Sequence, residues 1–419
     1  MTTSPRPLTR SQLAAVVAGN ALEFYDFLIY GFFAIPIGAA FFPAKDATGS
    51  LLITLATFGV GFLTRPLGGL LIGPLGDRLG RKPAMLFSFG LMGFSIAGLA
   101  LTPSYASIGL AAPILVVIFR LLQGFALGGE VGPTTSFLME AAPPQKRGMY
   151  VSLQIATQQV AILVSGVVGF VLSSVLTPEH VTAWGWRVAM LLGTAVVPFA
   201  LIIRRRLPET FHRQTGSRAK LTPAQRKLAV LLTIMAASMT IGTYTLNYLN
   251  IFASHTLGLA PAQTFGAVAV AGICGTIFNP IGGWLSDRFG RKPVMIFAFV
   301  LLCAVGIPCF AMMAHLRTPL ALYGGAFAMA PLLGLGSSAM TTFLAENLPP
   351  PIRSGGIGII YAVAITIFGG STSFMAAWLT QITASPLAPA WYMCGALLVG
   401  LVAMLSVRES APVKTGWRA

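Results

Sequence analysis

Charged residues are scarce in this chain, and acidic residues are scarcer still. Of 419 residues, 9% are charged and 55% are hydrophobic, with 11 Asp and Glu residues against 27 Lys and Arg residues. Soluble proteins carry roughly 25% charged residues. The composition therefore excludes an ordinary soluble domain and indicates an integral membrane protein.

Cysteine is also rare, and its spacing does not suit a metal site. All four cysteines lie within apolar stretches, at Cys274, Cys303, Cys309 and Cys394. Neither zinc-ligand spacing nor a disulfide pattern is present. The sequence also lacks a P-loop and a dinucleotide fingerprint. We therefore expect no metal, no cofactor, no enzymatic activity and no drive by ATP.

Long apolar segments occupy most of the chain. A bilayer core about 30 Å thick needs about 20 residues per helix, which leaves room for about twelve spans. The predicted spans are 12–40, 50–74, 84–102, 109–139, 148–176, 186–206, 228–254, 262–286, 294–314, 318–345, 354–381 and 389–408.

Basic residues recur in every second loop, and this pattern predicts the topology. The positive-inside rule places these loops, and with them both termini, in the cytoplasm. Because the charges are spread over many loops rather than one face, nucleic acid is not an expected partner. The basic segment 207–227 reads as a cytoplasmic linker between halves 1–206 and 228–419.

Two charged motifs occur twice, half a chain apart. The loop Gly73–Pro83 returns as Gly283–Pro293, and both copies follow the pattern Gly-x3-Asp-Arg-x-Gly-Arg-Lys. Glu140–Arg147 returns as Glu346–Arg353, with the pattern Glu-x2-Pro-Pro-x2-Arg. The repeats predict an all-α membrane fold of two pseudo-symmetric six-helix halves.

The duplicated loop resembles the signature loop of the major facilitator superfamily. The segment Gly19–Gly31 of the first span and the segment Arg120–Glu130 of the fourth resemble the metabolite:proton symporter family. The segments Gln154–Ile162, Trp184–Arg187 and Ile367–Gly370 are similar to the citrate and tricarboxylate carriers in it. This resemblance implies proton-coupled import of a small organic anion across a bacterial inner membrane by alternating access.

Charges inside the membrane are costly and usually functional. Arg120 lies near the middle of the fourth span, so it needs an anionic partner, which the substrate can supply. Protonation of a nearby carboxylate would free the arginine for that anion. The candidate proton carriers are Glu23, Asp26 and Glu130.

Polar side chains that share helix faces are the other candidate substrate ligands. Amides and hydroxyls can hydrogen-bond carboxylates in a dry cavity, although they also join neighbouring helices. These candidates are Asn20, Tyr30, Gln123, Gln154, Gln158, Tyr244, Asn247 and Tyr361. Arg65, by contrast, is expected to snorkel from the second span toward the cytoplasm.

The resemblance implies that the duplicated loops lock a cytoplasmic gate. Basic residues of the loops can reach carboxylates at neighbouring helix ends. The predicted gating residues are Gly73, Asp77, Arg78, Arg81, Glu140, Arg147, Asp287, Arg288, Arg291, Glu346 and Arg353.

Citrate or a related di- or tricarboxylate is the expected substrate, and the protein is expected to act as a monomer. With Arg120 as the only embedded cation facing a cavity, a tricarboxylate would carry excess negative charge. Alternatives are 2-oxoglutarate, shikimate, or a zwitterion such as betaine or proline, whose cation needs an aromatic cage. A transporter-like sensor without flux is a further alternative.

Overall fold

The computed structural model describes residues 24–25, 27–79, 81–128, 131–194 and 222–416, and every long element within these ranges is a helix. In chain order the long helices are α1 (Ala34–Phe41), α2 (Ala47–Leu63), α3 (Arg65–Leu79), α4 (Arg81–Leu101), α5 (Ala111–Leu127), α6 (Val131–Ala141), α7 (Arg147–Val175), α8 (Pro223–Ile251), α9 (Pro261–Phe289), α10 (Arg291–Leu316), α11 (Pro319–Glu346), α12 (Pro350–Ala364), α13 (Gly370–Thr383) and α14 (Ala388–Ser406).

Eight stretches of the described chain are long and apolar enough to cross a membrane. Two shorter apolar helices, Leu86–Leu101 and Ala111–Leu127, fit between them. Helical residues 27–32 precede α1, and residues 186–194 are also helical. The arrangement is the predicted twelve-helix membrane fold of two six-helix halves.

Three predicted spans consist of two helices each rather than one. The span from 47 to 79 breaks at Thr64, and the span from 111 to 141 breaks after Leu127. The span from 350 to 383 passes through a π-helical turn at Ile365–Gly369. These breaks lie near the middle of their spans, so they point to the centre of the bundle.

The first helix of the second half begins earlier than expected, at Pro223 rather than residue 228. Thr222 and Gln225 form a reciprocal capping box there, which pairs backbone N–H groups that the helix start would leave unpaired. The rest of the proposed linker, up to residue 221, lies outside the described residues.

The two ends of the bundle are distinguished by their loops. We call the end that carries the Asp287–Pro293 turn the loop side and the other end the opposite side. Large apolar side chains such as Leu101, Leu320 and Val402 are exposed on the bundle surface. A surface of this kind suits contact with lipid tails rather than water.

The two halves pack together most extensively through α7 and α9. Small residues allow this contact: the Cα of Gly166 faces the Ala269 backbone, and Gly272 faces Leu163. Near the loop side, Gly283 and Gly148 lie against each other's carbonyl groups. Glycine at these positions lets the two backbones approach without side-chain overlap.

Candidate functional site

Arg120 lies at the centre of the bundle and is fully buried. Its Nη1 donates to Oε1 of Gln123 over 2.6 Å, and its Nη2 donates to the carbonyl oxygen of Phe58 over 3.2 Å. The guanidinium carbon lies 4.3 Å from the ring centroid of Phe27 and 4.5 Å from that of Tyr30. Neutral acceptors and ring faces therefore hold this cation in place.

Five connected aromatic side chains, three of which contact Arg120 directly, form what we call the central aromatic cluster. Their ring centroids lie 4.6 to 6.3 Å apart in contacting pairs, mostly in tilted or edge-to-face arrangements. One member, Tyr244, belongs to α8 of the second half, so the cluster joins the two halves. Its members are Phe27, Tyr30, Phe58, Phe62 and Tyr244.

A second arginine belongs to this centre, contrary to the sequence-based expectation. Arg65 is 5% exposed and does not snorkel to the surface. Its guanidinium carbon lies 4.5 Å from the ring centroids of both Phe27 and Phe62. The expectation was wrong because the helical span continues beyond residue 74 to Leu79, which leaves Arg65 near the middle of the span from Ala47 to Leu79.

The break has a local cause in Pro66. Proline has no N–H group, so a backbone hydrogen bond to the carbonyl of Phe62 is lost. That carbonyl instead accepts a hydrogen bond of 3.0 Å from the Thr366 hydroxyl. Thr366 lies in the π-helical turn of the second half, so two helix irregularities from the two halves meet here.

The two guanidinium groups are close enough to repel each other. Both contact the Phe27 ring, so their carbons are no farther apart than the sum of the two ring distances, about 8.8 Å. At that separation two unit charges repel by about 2 kcal/mol at an effective dielectric constant of about 20. The centre therefore brings two positively charged side chains close together.

Carboxylates in the described part of the chain lie away from this centre. Those on the opposite side are Asp46 and Glu179, and those on the loop side are Glu140, Asp287, Glu346 and Glu409. The predicted proton carriers Glu23, Asp26 and Glu130 lie outside the described residues, as does the predicted ligand Asn20.

Some of the other predicted ligands lie close to the centre, and others form contacts between neighbouring helices. Gln158 of α7 lies within hydrogen-bonding reach of the Tyr361 hydroxyl of α12, which links the two halves. Gln154 accepts a hydrogen bond of 2.7 Å from Thr135 and so joins α7 to α6. Asn247 is partly buried on α8.

A further polar side chain on α8, Asn250, lies one turn beyond Asn247. Its Nδ2 donates to the carbonyl oxygen of Phe32 over 2.8 Å, so it ties α8 to the first span on the opposite side. Nearby, the Thr48 hydroxyl lies 3.3 Å from Nε2 of His255. Gly59 and Gly370 also lie backbone against backbone between the halves.

On the loop side, Arg291 is fully buried between two carboxylates. Its Nη1 lies 2.6 Å from Oδ1 of Asp287, and its Nη2 lies 2.9 Å from Oε1 of Glu346. Asp287 also accepts hydrogen bonds from the backbone N–H groups of Gly148 and Met149, over 2.8 and 2.9 Å. Asp287 thus caps the start of α7, a helix of the other half.

Glu409, after the last long helix, takes the corresponding place at the start of α10. It accepts hydrogen bonds from the backbone N–H groups of Arg291 and Lys292, over 3.1 and 2.9 Å. Its neighbour Ser410 donates to Glu346 over 2.7 Å. Sequence analysis missed these residues because nothing in the local sequence links a terminal tail to a loop so far away.

The second duplicated motif forms a pair across the two halves. Arg353 at the start of α12 lies 3.4 Å from Glu140 at the end of α6. Arg147 is partly buried close to Arg353. Each motif copy therefore contributes one member of this ion pair.

Some predicted gating residues lie away from these contacts. Arg288 is exposed, and its guanidinium lies over the exposed rings of Trp284 and Phe289. The side chains of the first loop copy lie outside the described part of the chain, namely Gly73, Asp77, Arg78 and Arg81.

Contacts between the halves thus lie on both sides of the central aromatic cluster. The Gly148–Asp287 and Glu140–Arg353 contacts join the halves on the loop side, and the Asn250–Phe32 contact joins them on the opposite side. Aromatic rings occupy the centre between these contacts.

Two family models together cover most of the chain. The model described as "Sugar (and other) transporter" matches residues 12–244, which is more than half of the chain. The model described as "Major Facilitator Superfamily" matches residues 228–416. The chain belongs to the major facilitator superfamily. This superfamily member is a multi-pass membrane transporter and not an enzyme.

Several relatives match this superfamily member over most of its length. It is 35% identical over 398 residues to the citrate-proton symporter of Klebsiella pneumoniae, covering 93% of this chain and 89% of the relative. It is 33% identical to the alpha-ketoglutarate permease of Escherichia coli, covering 89% of each chain. It is 32% identical to the proline/betaine transporter of Salmonella typhimurium, covering 96% and 84%.

The fold also matches solved structures of the superfamily. The xylose transporter XylE from E. coli, in a partially occluded inward open conformation, superposes with a TM-score of 0.75. The match covers 98% of this chain and 99% of the other at 15% identity. The likeness confirms the predicted twelve-helix fold.

Proposed function

We propose that this protein is a proton-coupled symporter of a small organic anion, with citrate or a related di- or tricarboxylate as the substrate. The observation that carries the proposal is the buried Arg120 at the junction of the two halves. Its immediate neighbours are neutral side chains and carbonyl groups. The relatives named for citrate and alpha-ketoglutarate support a carboxylate substrate.

Substrate and proton would alternate as partners of the central cation. A carboxylate of the protein pairs with Arg120 in the absence of substrate, and its protonation releases the arginine to bind the incoming anion. Glu23, Asp26 and Glu130 are the proposed proton carriers because the sequence places each of them inside a predicted span, the first two in span 12–40 and Glu130 in span 109–139 with Arg120. An anion and a proton then cross the membrane together.

The proposed substrate contacts come from both halves. Arg120 and Gln123 would bind a carboxylate, because a guanidinium and an amide can donate several hydrogen bonds to its oxygens. Tyr244 and Tyr361 would contribute from the second half. The remaining proposed contacts are Asn20, Tyr30, Gln154, Gln158 and Asn247.

Alternating access would proceed by opening one side at a time. The ion pairs of Arg291 and of Arg353 would hold the loop side closed when the opposite side opens. Aromatic rings of the central aromatic cluster would move apart to admit the substrate. Phe58, Phe62 and Tyr244 lie on the contact between halves and are the rings that have to separate.

The proposed setting is a bacterial inner membrane with both termini and the loop side in the cytoplasm. The excess of Lys and Arg in the loops of that side supports this orientation. The halves are proposed to comprise residues 1–206 and 228–419, joined by a cytoplasmic linker. We propose a functional monomer that does not bind nucleic acid.

A zwitterion is the main competing substrate class, because one relative is named for proline and betaine. A quaternary ammonium group needs the free faces of aromatic rings. Here the faces of Phe27, Phe58 and Tyr30 carry the guanidinium of Arg120. Two cations at this centre would also repel an incoming ammonium group, so the site suits an anion better.

Uptake by proteoliposomes tests the proposal. We expect the purified protein to accumulate radiolabelled citrate when the lumen is made alkaline, and to lose this accumulation when a protonophore is added. Arg120→Gln should lower uptake at least about 100-fold, since a buried ion pair is worth about 3 kcal/mol or more. Arg317→Gln, at an exposed turn, is the matched control.

The same assay separates the alternatives. Accumulation of betaine but not of citrate, 2-oxoglutarate or shikimate would overturn the anion proposal. Binding without accumulation would favour a sensor. Uptake that follows a sodium gradient and ignores pH would exclude proton coupling.

A further inference from the structure

The helices α10 and α14 pack side by side in opposite directions within the second half. A Cβ added to Gly306 of α10 would lie 2.7 Å from Cε of Met393 of α14. A Cβ added to Gly400 of α14 would lie 3.4 Å from the Phe299 ring of α10. Glycine at these two positions therefore brings the two helices close together.

Between these two glycine contacts, each helix places one cysteine against the other helix. Sγ of Cys303 lies 3.9 Å from the carbonyl oxygen of Cys394, and Sγ of Cys394 lies 3.7 Å from the carbonyl oxygen of Cys303. The two thiol groups also lie within hydrogen-bonding reach of each other. The cysteines are 91 residues apart in the chain, so only the packing of α10 against α14 brings them together.

This reciprocal arrangement suits the formation of a disulfide. A disulfide joins cysteines whose Cα atoms are about 4.4–6.8 Å apart, and each thiol here already reaches the backbone of the other cysteine. Rotation of the two side chains can therefore bring the sulfur atoms into bonding contact while both helices keep their positions. A purely structural role would be met by any two small apolar residues at these positions.

The two thiols differ in exposure, and this difference indicates which of them reacts first. Cys303 is partly exposed, one turn from Val300, which is 46% exposed on the bundle surface. Cys394 is buried. An oxidant dissolved in the bilayer can reach Cys303, and Cys394 is placed to complete the disulfide. Charged thiols such as glutathione stay in water, so a disulfide formed here resists reduction by them.

We propose that Cys303 and Cys394 form a redox-sensitive pair, which a quinone dissolved in the membrane oxidises to a disulfide. Two S–H bonds break and one S–S bond forms. The two electrons and two protons pass to the quinone, which leaves as a hydroquinone. Because the bond joins α10 to α14 within one half, it stabilises that half and leaves the contacts between the halves unchanged.

A count of free thiols in the wild-type protein tests the inference. The purified protein in liposomes is incubated with decylubiquinone, denatured and labelled with N-ethylmaleimide. Because the chain has four cysteines, mass spectrometry should find four labels before oxidation and two afterwards. The peptides that contain Cys303 and Cys394 should then be joined by a disulfide. Burial disfavours the thiolate that begins such a reaction, so we expect oxidation over minutes to hours.

Single substitutions provide matched controls. Cys303→Ser and Cys394→Ser should each keep their three remaining thiols after the same treatment. Cys309→Ser should still form the disulfide and keep one thiol, because Cys309 lies on a different face of α10 from Cys303. The oxidised wild-type protein should unfold at a temperature about 5 °C higher. Its unfolding midpoint should return to the original value after treatment with dithiothreitol.

Several outcomes would contradict the redox pair. Four labels after prolonged oxidation would overturn it in the wild-type protein, whether or not the variants fold. A disulfide that involves Cys274 or Cys309, or one that joins two molecules, would do the same. A quinone attached to Cys303 without a disulfide would show that Cys394 does not complete the reaction. An unchanged unfolding midpoint in the oxidised protein would overturn the stabilising effect.

Discussion

A glycine determines how Arg120 lies within the bundle. The Cα of Gly61 on α2 faces the arginine: an added Cβ would lie 3.1 Å from Nη2 and 3.2 Å from Nε of Arg120. It would also lie 3.1 Å from the Arg120 carbonyl oxygen. The guanidinium can cross above α2 only because this position has no side chain, as expected for a tight helix crossing.

Gly61→Ala should therefore disturb anion binding at the centre. The added methyl group pushes the guanidinium away from Phe58 and strains the α2–α5 contact, which we expect to cost about 1–3 kcal/mol. The KM for citrate should rise about fivefold or more. Uptake kinetics and thermal unfolding of the purified variant provide the measurements.

Gly90→Ala is the matched control for this substitution. Gly90 lies on the exposed face of α4, with nothing within 4 Å of an added Cβ. The Gly90→Ala variant should leave the KM for citrate unchanged and slightly stabilise α4. If Gly61→Ala also leaves the KM unchanged, the position of the guanidinium does not limit substrate binding.

At the scale of helices, the loop side is closed by carboxylates placed at helix starts. Asp287 at the end of α9 accepts two backbone N–H groups at the start of α7 and pairs with Arg291. Helix starts carry partial positive charge, which stabilises a carboxylate there. The contact joins one half to the other, so its strength affects how readily this side opens.

Asp287→Asn should open the loop side more often. The amide keeps the size of the side chain but removes charge-assisted hydrogen bonds worth about 1.5–3 kcal/mol each. A single cysteine at Ser354, whose carbonyl lies against Gly132 of the other half, reports on opening. In a background with the four native cysteines replaced by serine, its labelling by a maleimide should accelerate about tenfold.

Glu179→Gln is the corresponding control, because Glu179 is an exposed carboxylate on the opposite side. It should leave the labelling rate of the Ser354→Cys reporter unchanged. Equal rates for Asp287→Asn and the parent protein would mean that this carboxylate does not hold the loop side closed.

At the scale of the whole molecule, the two halves touch on both sides of a centre filled by aromatic rings. The Thr48–His255 contact lies on the opposite side and the Glu140–Arg353 contact on the loop side. Alternating access requires each of these contacts to separate once in every cycle.

Cross-links across either side should stop transport. Cysteine pairs at positions 48 and 255, and at positions 140 and 353, lie close enough for a short cleavable bifunctional thiol reagent. We expect each linked pair to lose citrate uptake and to regain it after the linker is cleaved. Single-cysteine proteins treated in the same way are the controls. Continued uptake by a fully linked pair would contradict alternating access.

The sequence by itself determined the membrane class, the twelve-helix repeat and the identity of Arg120 as an embedded cation. Apolar length, loop charge and duplicated motifs are local signals, and the cost of charge in lipid marks Arg120 without reference to any neighbour. The sequence also indicated that basic residues of the duplicated loops can reach carboxylates at neighbouring helix ends, and Arg291 contacts Glu346 in this way.

Only the tertiary structure decided which side chains meet at the centre. Arg65 reads as a residue near a helix end, but the helix continues to Leu79 and the Arg65 side chain lies beside Phe27 and Phe62. Glu409 lies at the start of α10 because the segment that follows α14 folds back against that helix. Contacts between residues far apart in sequence depend on how the helices cross, and helix periodicity carries no information about that crossing.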